Sequence, residues 1–365
     1  MKFELNDEQN ALKTAVHDFL IARAGDDALQ RAMDGDQSLD RDTWQRLAEQ
    51  IGAQGLCIPE ALGGSGAGVV ESTVVLEEVG RRCYAGPYFS TLVATRALLA
   101  CAETAKDYLA QIAAGTVVFT FAYAEDGVDW YSTAYETTAS ANSDGHTISG
   151  TKKLVTNVAD ATHFLVAATT DAGPGLFVVR RDASGLTVAV DESLDPTRQI
   201  GHLTFDAAAA ESVGGDASVI AASADFASHA LSAELIGVAA ESIDRAVAWA
   251  SDRIQFGRPI GSFQAIKTKC ADALLELETA RVLVYYAAYQ LSVAADDAPM
   301  LVSLAKQAAT DAAVLASSEL IQILGAIGFT WEHPAHLYFK RARVNSVLLQ
   351  DRNFHLDRVA DMICN

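Results

Sequence analysis

The sequence lacks any uncharged apolar run of about 18 residues, the length that a membrane-spanning helix needs. Its first twenty residues, MKFELNDEQNALKTAVHDFL, carry charges where a signal peptide would be apolar. From these two absences we expect no membrane insertion and a cytoplasmic location. Basic residues are also scarce, since 27 Lys and Arg accompany 47 Asp and Glu and give a formal net charge of -20. This charge repels phosphate backbones, so we expect no nucleic-acid partner.

Cysteines are few, and none has metal-ligand spacing. Their number is odd, and they are dispersed along the chain, which predicts free thiols in a reducing compartment and no disulfide framework. The five are Cys57, Cys83, Cys101, Cys270 and Cys364.

Half of the 365 residues are apolar, so the chain can bury the cores of two or three packed domains. From Asn6 to about Leu99 the apolar residues recur with helical spacing, near Thr116 the period changes to about two, and after Asp225 it is helical again. We therefore predict an α+β protein with an N-terminal helical domain (1–115), a middle β domain closed or sandwiched to protect its edges (116–224), and a C-terminal helical domain (225–365).

One segment, RIQFGRPIGSFQ at 253–264, interrupts two long helical patterns. It holds two glycines, a proline, two arginines and two phenylalanines, which is more than a helix connector requires. Arginine offers a planar fork that matches phosphate, and phenylalanine offers a flat apolar surface. The composition therefore fits a cofactor that carries phosphate.

The same segment resembles a signature of the acyl-CoA dehydrogenase family, and QILGAIGF at 322–329 resembles that family's Q-x-x-G-G-x-G-[FY] run. The resemblance covers nearly the whole chain. It implies an FAD enzyme that forms an α,β double bond in an acyl-CoA thioester and passes electrons to an electron-transfer flavoprotein. It also implies a C-terminal four-helix bundle that mediates oligomerisation, in a homo- or hetero-oligomer built as a dimer of dimers.

The resemblance assigns five residues of these signatures to the cofactor. Arg253 and Phe256 match R-x-x-F-G, in which the arginine meets the flavin pyrophosphate across a subunit interface, and Gln264 follows at the family's position. Gln322 and Gly325 match the second signature. The alternatives are an arginine that caps the preceding helix and a glutamine on a solvated helix face.

In the second signature Ala326 replaces the family's usual second glycine, and its methyl group could crowd the cofactor. In the β domain, ISGTKKLVTN at 148–157 resembles the family strand that meets the flavin ring near Thr156, with Leu154 in place of the usual aromatic residue. FAYAED at 121–126 takes the place of the L-T-E-P-x-x-G-S-D loop and keeps only Glu125. An ordinary strand and turn is the alternative for both segments.

The reaction needs a carboxylate that removes the α proton of the thioester. Counting from Phe329, the family's commoner position for this base falls on Leu349, and the other falls near Ala227, so neither carries an acid. Asp351 is the nearest acid to the first position and becomes the candidate base, with a surface turn or helix cap as the alternative. Glu234, Glu241 and Asp244 also lie on the helix before R-x-x-F-G, but nothing else distinguishes them.

Three further groups have simpler interpretations. His333 and His336 stand beside Glu332, but Pro334 interrupts the helix and no third ligand has matching spacing, so we predict no metal. A basic cluster on the following helix is expected to be a solvated face, with phosphate binding as the alternative. Three tyrosines widen an apolar helical stripe and suggest a subunit interface. The cluster is Lys340, Arg341 and Arg343, and the tyrosines are Tyr285, Tyr286 and Tyr289.

Two functional hypotheses follow, from different classes. The first is a flavin-dependent acyl-CoA dehydrogenase. The second is a catalytically incomplete subunit of a heteromeric dehydrogenase, which completes a partner's flavin site; the missing glutamate, Ala326 and the eroded Gly-Ser-Asp loop favour it. A flavin oxidase or monooxygenase on the same scaffold is a third possibility, which needs oxygen access that the sequence does not reveal.

Overall fold

The computed structural model of the protein describes residues 4–35, 38–127, 130–143 and 145–364. Its N-terminal part is helical, and side-chain caps define where the helices begin. Asn6 and Gln9 form a reciprocal capping box at the first helix, with Gln9 N donating to Asn6 Oδ1 over 2.8 Å. The helices are α1 (Asp7–Arg23), α2 (Asp26–Met33), α3 (Arg41–Arg46), α4 (Val69–Arg81), α5 (Tyr88–Ala100) and α6 (Ala102–Ala113).

The middle part is a β-sheet that closes on itself. Strand pairing runs β1-β4-β2-β3-β7-β5, and β5 pairs back with β4, so the central strands form a ring without free edges. The predicted β domain closed to protect its edges is thus observed. The strands are β1 (Phe119–Ala122), β2 (Thr138–Asn142), β3 (Gly145–Thr156), β4 (His163–Thr170), β5 (Gly173–Arg180), β6 (Leu186–Asp191) and β7 (Ile200–Gly214).

The C-terminal part is a helical bundle around one buried helix. Asp216 caps α7 by accepting hydrogen bonds from the backbone of Ser218 and Val219, so this helix begins at Ala217, eight residues before the predicted domain boundary. A short hairpin of β8 and β9 separates it from the next helix. The elements are α7 (Ala217–Asp252), β8 (Ile254–Gln255), β9 (Arg258–Pro259), α8 (Gln264–Ser292), α9 (Ala298–Leu324), α10 (Ala335–Val347) and α11 (Arg352–Cys364).

Two helices in the described ranges, Ala217–Asp252 and Ala298–Phe329, are long and apolar enough to cross a membrane by length and composition. The core helix of a bundle meets the same criterion. In the first, 83% of the most apolar window is buried inside the protein, so its apolar character is explained by packing. The five cysteines are free, as the sequence predicts.

Candidate functional site

A small cavity lies where the three parts of the chain meet. Its volume is about 20 Å³, which is near the smallest space that holds one water molecule. Aromatic and aliphatic side chains form nearly all of its wall. They come from α5, β1, the segment between β1 and β2, β3, α7 and the segment after α10: Phe89, Ser90, Val93, Phe121, Tyr123, Trp130, Leu154, Thr156, Ala227, Leu348 and Leu349.

Both positions expected for the catalytic base lie in this wall. Leu349 is 2% exposed, and Ala227 approaches from α7. Leu349 and Gln350 have φ of 61° and 76°, a left-handed conformation that is costly for side chains with a Cβ. The buried His355 holds this turn, since its Nε2 donates to the Leu349 carbonyl oxygen over 3.0 Å. No carboxylate is among the cavity-lining residues in the described ranges, so the wall offers no group to remove an α proton.

Asp351, the candidate base, lies just outside this cavity. Its carboxylate accepts a hydrogen bond from Phe354 N over 3.0 Å at the start of α11, and the side chain is exposed. This is the geometry of a helix cap, the alternative that the sequence left open. A catalytic role for Asp351 stays a prediction, and it requires the carboxylate to leave this cap.

Thr156 does line the cavity, at the end of β3. Its Oγ1 lies 2.9 Å from Ser90 Oγ, and Ser90 in turn donates to Asn157 Oδ1 over 2.6 Å. Because Ser90 uses its own proton on Asn157, Thr156 donates to Ser90. The Thr156 proton is therefore committed within the chain.

A buried ion pair joins Glu125, which follows β1, to Lys152 of β3. Lys152 Nζ lies 2.6 Å from Glu125 Oε1, and burial lowers the pKa of Lys152 to about 8. Glu125 also accepts from the backbone N–H groups of Glu136 and Thr137, over 2.6 and 3.0 Å. These contacts tie the two ends of the segment between β1 and β2 together. Glu125, the one acid kept from the family loop, thus has a structural partner within the chain.

Two aromatic residues of that segment occupy the space beside the cavity. Trp130 is buried in its wall. Tyr131 hydrogen-bonds Ser228 of α7 over 2.7 Å, stacks on Phe354 with ring centroids 5.1 Å apart, and lies under the Arg358 guanidinium at 4.5 Å. The middle part and the bundle are joined by these contacts. Sequence patterns carry no signal for this closure, because it depends on which way two aromatic side chains turn.

A flavin ring does not fit this cavity. Pockets that hold a cofactor or drug-sized ligand have volumes of about 300–1,000 Å³, against about 20 Å³ here. Enlarging the cavity requires Trp130 or the Leu349 turn to move. The chemistry of the wall agrees with its size, since the Thr156 hydroxyl is committed and the base positions are apolar.

The RIQFGRPIGSFQ segment lies elsewhere, on the surface of the bundle. Phe256 and Gly257 form the turn of the β8–β9 hairpin with φ of 53° and 74°, so both are left-handed, as in a type I′ turn. Phe256 is 92% exposed. The exposed ring of Phe256 contributes nothing to this chain's own core. Non-glycine residues with a left-handed backbone conformation are concentrated at functional sites.

Arg253 stands at the base of the same hairpin. Its backbone N–H donates to the Trp249 carbonyl oxygen over 2.9 Å and its guanidinium lies 6.0 Å from the Trp249 ring centroid. The side chain is exposed. Arg253 is thus the C-cap residue of α7 through its backbone, while the exposed guanidinium fork is available to a phosphate.

The second glycine signature lies at the same end of the bundle. The ion pair between Lys269 Nζ and Glu319, at 2.6 Å, joins the first turns of α8 to the last turns of α9. Gln264 and Gln322 are both exposed there. Gly325 ends α9 with φ of 70°, which brings an exposed backbone to the surface.

This surface fits the phosphate-bearing part of a dinucleotide. It offers a guanidinium, two side-chain amides and backbone groups, all exposed, and an aromatic ring that can stack on a base. Ala326 is exposed, so its methyl group does not crowd the chain itself. The residues assigned to the cofactor therefore divide into an exposed group on the bundle and one buried residue, Thr156, in the cavity wall.

A buried ionic cluster joins the middle part to the bundle, and for Arg341 it corrects the expectation that the basic run of α10 is solvated, whereas Arg343 is exposed as expected. Arg341 is buried; its Nε pairs with Asp195, and its Nη2 donates to Thr197 O over 2.7 Å. Glu234 of α7 pairs with the buried Arg198. The cluster fixes α10, whose end carries the Leu348–Gln350 turn, against the middle part.

Other expectations have specific outcomes. Lys340 stacks over Trp331 with Nζ 4.5 Å from the ring centroid, and Arg343 over Phe339 at 5.1 Å. The Tyr285 hydroxyl donates to Glu77 over 2.7 Å, whereas Tyr289 is 38% exposed, and the subunit interface at these tyrosines stays a prediction. In the ranges that the structure describes, no group of three or more His, Cys, Asp or Glu side chains could hold a metal ion.

Comparison with known proteins identifies the family. Models of the acyl-CoA dehydrogenase N-terminal, middle and C-terminal domains match residues 6–116, 120–208 and 218–363. The chain is 33% identical to acyl-CoA dehydrogenase IpdE2 of Mycobacterium tuberculosis, over 94% of this chain and 93% of that protein.

Solved structures of the same fold include two-component proteins. A variant of the Tcur3481-Tcur3483 steroid ACAD matches with 32% identity and a TM-score of 0.90 over 98% of each chain. The ChsE4-ChsE5 complex from Mycobacterium tuberculosis matches with 27% identity and a TM-score of 0.89, over 100% of this chain and 99% of that one.

Proposed function

The chain belongs to the acyl-CoA dehydrogenase family, and from this premise we propose that it is one subunit of a hetero-oligomeric, FAD-dependent acyl-CoA dehydrogenase. In this assembly it completes the flavin site of a partner chain and leaves the proton abstraction to that partner. One observation carries the proposal: both base positions, Leu349 and Ala227, are apolar and face a cavity of about 20 Å³, while Arg253 and Phe256 are exposed.

The functional groups on each chain decide which step that chain can carry out. α,β-Dehydrogenation needs a base at the α carbon, and this chain's wall has none among its described residues. When bound, FAD accepts the hydride from the β carbon. Arg253 would hold its pyrophosphate, Phe256 would pack near the adenosine, and Gln264, Gln322 and Gly325 would add polar contacts. The partner would supply the ring pocket, the base and the thioester site, and the electrons would then pass to an electron-transfer flavoprotein.

An apolar face on α8 supports assembly with another chain. Leu274, Leu275 and Val282 are 47%, 66% and 54% exposed on that helix, and Phe256 lies just before it. Several exposed apolar groups on one surface are typical of a protein interface. A partner that covers this face would bring its own flavin beside the hairpin. Because one of the related two-component structures is described as a steroid ACAD, we also propose that the acyl group is bulky.

A second candidate is a dehydrogenase that works without a partner, with Asp351 as base and Thr156 at the flavin ring. It is favoured by the position of Thr156 in the cavity wall and by the closeness of Asp351 in sequence to Leu349. It requires the cavity to open widely and the α11 cap to break.

The visible absorption spectrum separates the two. We expect the chain purified alone to be colourless, and to give a yellow complex when it is produced with a paralogue from a neighbouring gene. A yellow single chain that bleaches with an acyl-CoA would refute the subunit proposal. In the active complex, we expect Asp351→Asn to leave turnover unchanged, whereas loss of flavin reduction at unchanged flavin content would assign the base to Asp351.

A further inference from the structure

A second, larger cleft lies among the N-terminal helices, away from the cavity and the hairpin. Its volume is about 410 Å³, within the range of small-molecule sites. Helices α1, α2 and α3 form one side, the segment 82–86 between α4 and α5 forms another, and Thr197 of the middle part closes it. Neither the flavin surface nor the thioester reaction explains a cleft in this place.

The lining of the cleft is basic and apolar in a chain that is otherwise acidic. Among the described residues, three arginines line it against one carboxylate, that of Asp40, whereas the whole chain has 27 basic and 47 acidic residues. Arg23 bonds Asp42 over 3.0 Å and Arg82 pairs with Glu241 at 3.2 Å, but Arg31 has no ion-pair partner among the described carboxylates. Apolar wall residues complete the lining: Ala24, Ala28, Leu29, Ala32 and Leu39.

Two wall residues also carry unsatisfied polar groups. The Tyr84 hydroxyl and Arg82 Nε are buried without a hydrogen-bond partner in the described ranges. Burial raises the pKa of Tyr84, so it stays a neutral hydroxyl that can donate. Buried polar groups in native proteins nearly always have partners, so a shift of this wall that let a ligand atom reach these two groups would satisfy both of them.

We propose that this cleft binds a small organic anion: an oxyanion head held by Arg31 and the neighbouring arginines, with an apolar body against the alanine and leucine wall. Carboxylate and phosphate heads share this chemistry, because a guanidinium fork matches both.

The cleft is connected to the small cavity by a short path of hydrogen bonds. Asn157 Nδ2 donates to the Ala85 carbonyl oxygen over 3.3 Å, and its Oδ1 accepts from Ser90, a residue of the cavity wall. An occupant that pressed on segment 82–86 would therefore act on the same hydrogen bonds that commit Thr156. This gives the anion a route to affect the start of α5.

Isothermal titration calorimetry on the full chain tests the proposal with three probes of equal chain length: octanoate, octyl phosphate and octan-1-ol. We expect at least one anion to bind saturably with one site, and the alcohol to bind at least tenfold more weakly. The stronger anion identifies the head group. Equal binding of all three would show mere hydrophobic partitioning and overturn the proposal.

Variants then place the binding. Ala28→Phe fills the cleft and should abolish binding, whereas Ala22→Phe adds the same ring at an exposed position outside the lining and should bind like wild type. Arg31→Ala should weaken anion binding about tenfold or more, with recovery in Arg31→Lys. Because Arg31 is exposed, its variants test the site even if Ala28→Phe fails to fold. Unchanged affinity in Arg31→Ala would refute the assignment.

Discussion

Placing a carboxylate at position 349 tests whether the internal cavity is sealed. In Leu349→Glu the new side chain enters an apolar wall beside Phe121 and Trp130, where the available space is about that of one water molecule. Leu349 is 2% exposed, so the carboxylate cannot reach solvent without opening the turn. Most family members carry their base at this position, so a cavity that admits water and substrate would hold the carboxylate without loss of stability. In a cavity closed to water, the carboxylate would lower the free energy of unfolding.

The size of the effect follows from the burial. Full burial raises a glutamate pKa by about 3 above its usual value of about 4.3. Since each pKa unit corresponds to about 1.36 kcal/mol, ionisation should reduce the free energy of unfolding by about 4 kcal/mol at pH 8 and by only about 1 kcal/mol at pH 5. The sign is that of a raised carboxyl pKa: stability is retained at low pH and lost as pH rises. Leu349→Gln removes the same apolar contacts without a charge, so it is the matched control.

Guanidinium chloride titrations of both variants at pH 5 and pH 8 measure this difference. We expect Leu349→Glu to fall below Leu349→Gln by about 4 kcal/mol at pH 8, with most of the gap closed at pH 5. We also expect no acyl-CoA-dependent flavin reduction by the single chain. Equal stability of the two variants at both pH values would show that the cavity is open to water, and flavin reduction by Leu349→Glu would show that it admits substrate.

Three further outcomes can be checked on the same chain. Arg341→Met leaves Asp195 without its buried partner and should lower the free energy of unfolding by about 3–5 kcal/mol in denaturant titrations; a change below about 1 kcal/mol would contradict the cluster's burial. Phe256→Ala should change stability by less than about 0.5 kcal/mol, because the side chain is exposed, yet lower the FAD content of the complex with its partner; full FAD content would remove the hairpin from the site. Burial lowers the pKa of Lys306 to about 7, so the folded chain binds fewer protons than the unfolded chain above that pH, and stability should rise between pH 7 and pH 10. Lys306→Met should flatten this rise in unfolding curves measured at pH 7 and pH 9.5, and an equal slope in both proteins would count against it.

The order of helical and β parts could be predicted from the sequence, because burial of one face gives apolar residues a spacing of about 3.6 in helices and of two in strands. The helical period expected after Asp225 is observed in the long helices α8 and α9. Helix α7 begins at Ala217, before the predicted start at Asp225. Asp216 caps it, and its first turns are rich in small residues, which give little apolar periodicity. The family assignment from the two glycine signatures is confirmed, since three domain models match.

The site could be predicted only in part. Counting along the chain placed Leu349 and Ala227 at the base positions, and the structure brings both to one cavity. The closure by Tyr131 could not be read from sequence, because its partner Ser228 is 97 residues away. The basic run predicts a surface position for Arg341. The carboxylates that pair with its buried guanidinium come from distant segments of the chain, so the run carries no sign of them. Periodicity describes one element at a time, whereas ionic clusters depend on how elements meet.

The exposed hairpin tip affects how the chain behaves when it is produced in excess of its partner. A ring as exposed as that of Phe256, close to the apolar face of α8, is an adhesive surface on any copy that lacks a partner. Excess copies would encounter one another, or unrelated proteins, through that surface. We therefore expect balanced synthesis of the two chains to matter for this protein's yield, and overexpression of this chain by itself to favour aggregation before any defect in folding is involved.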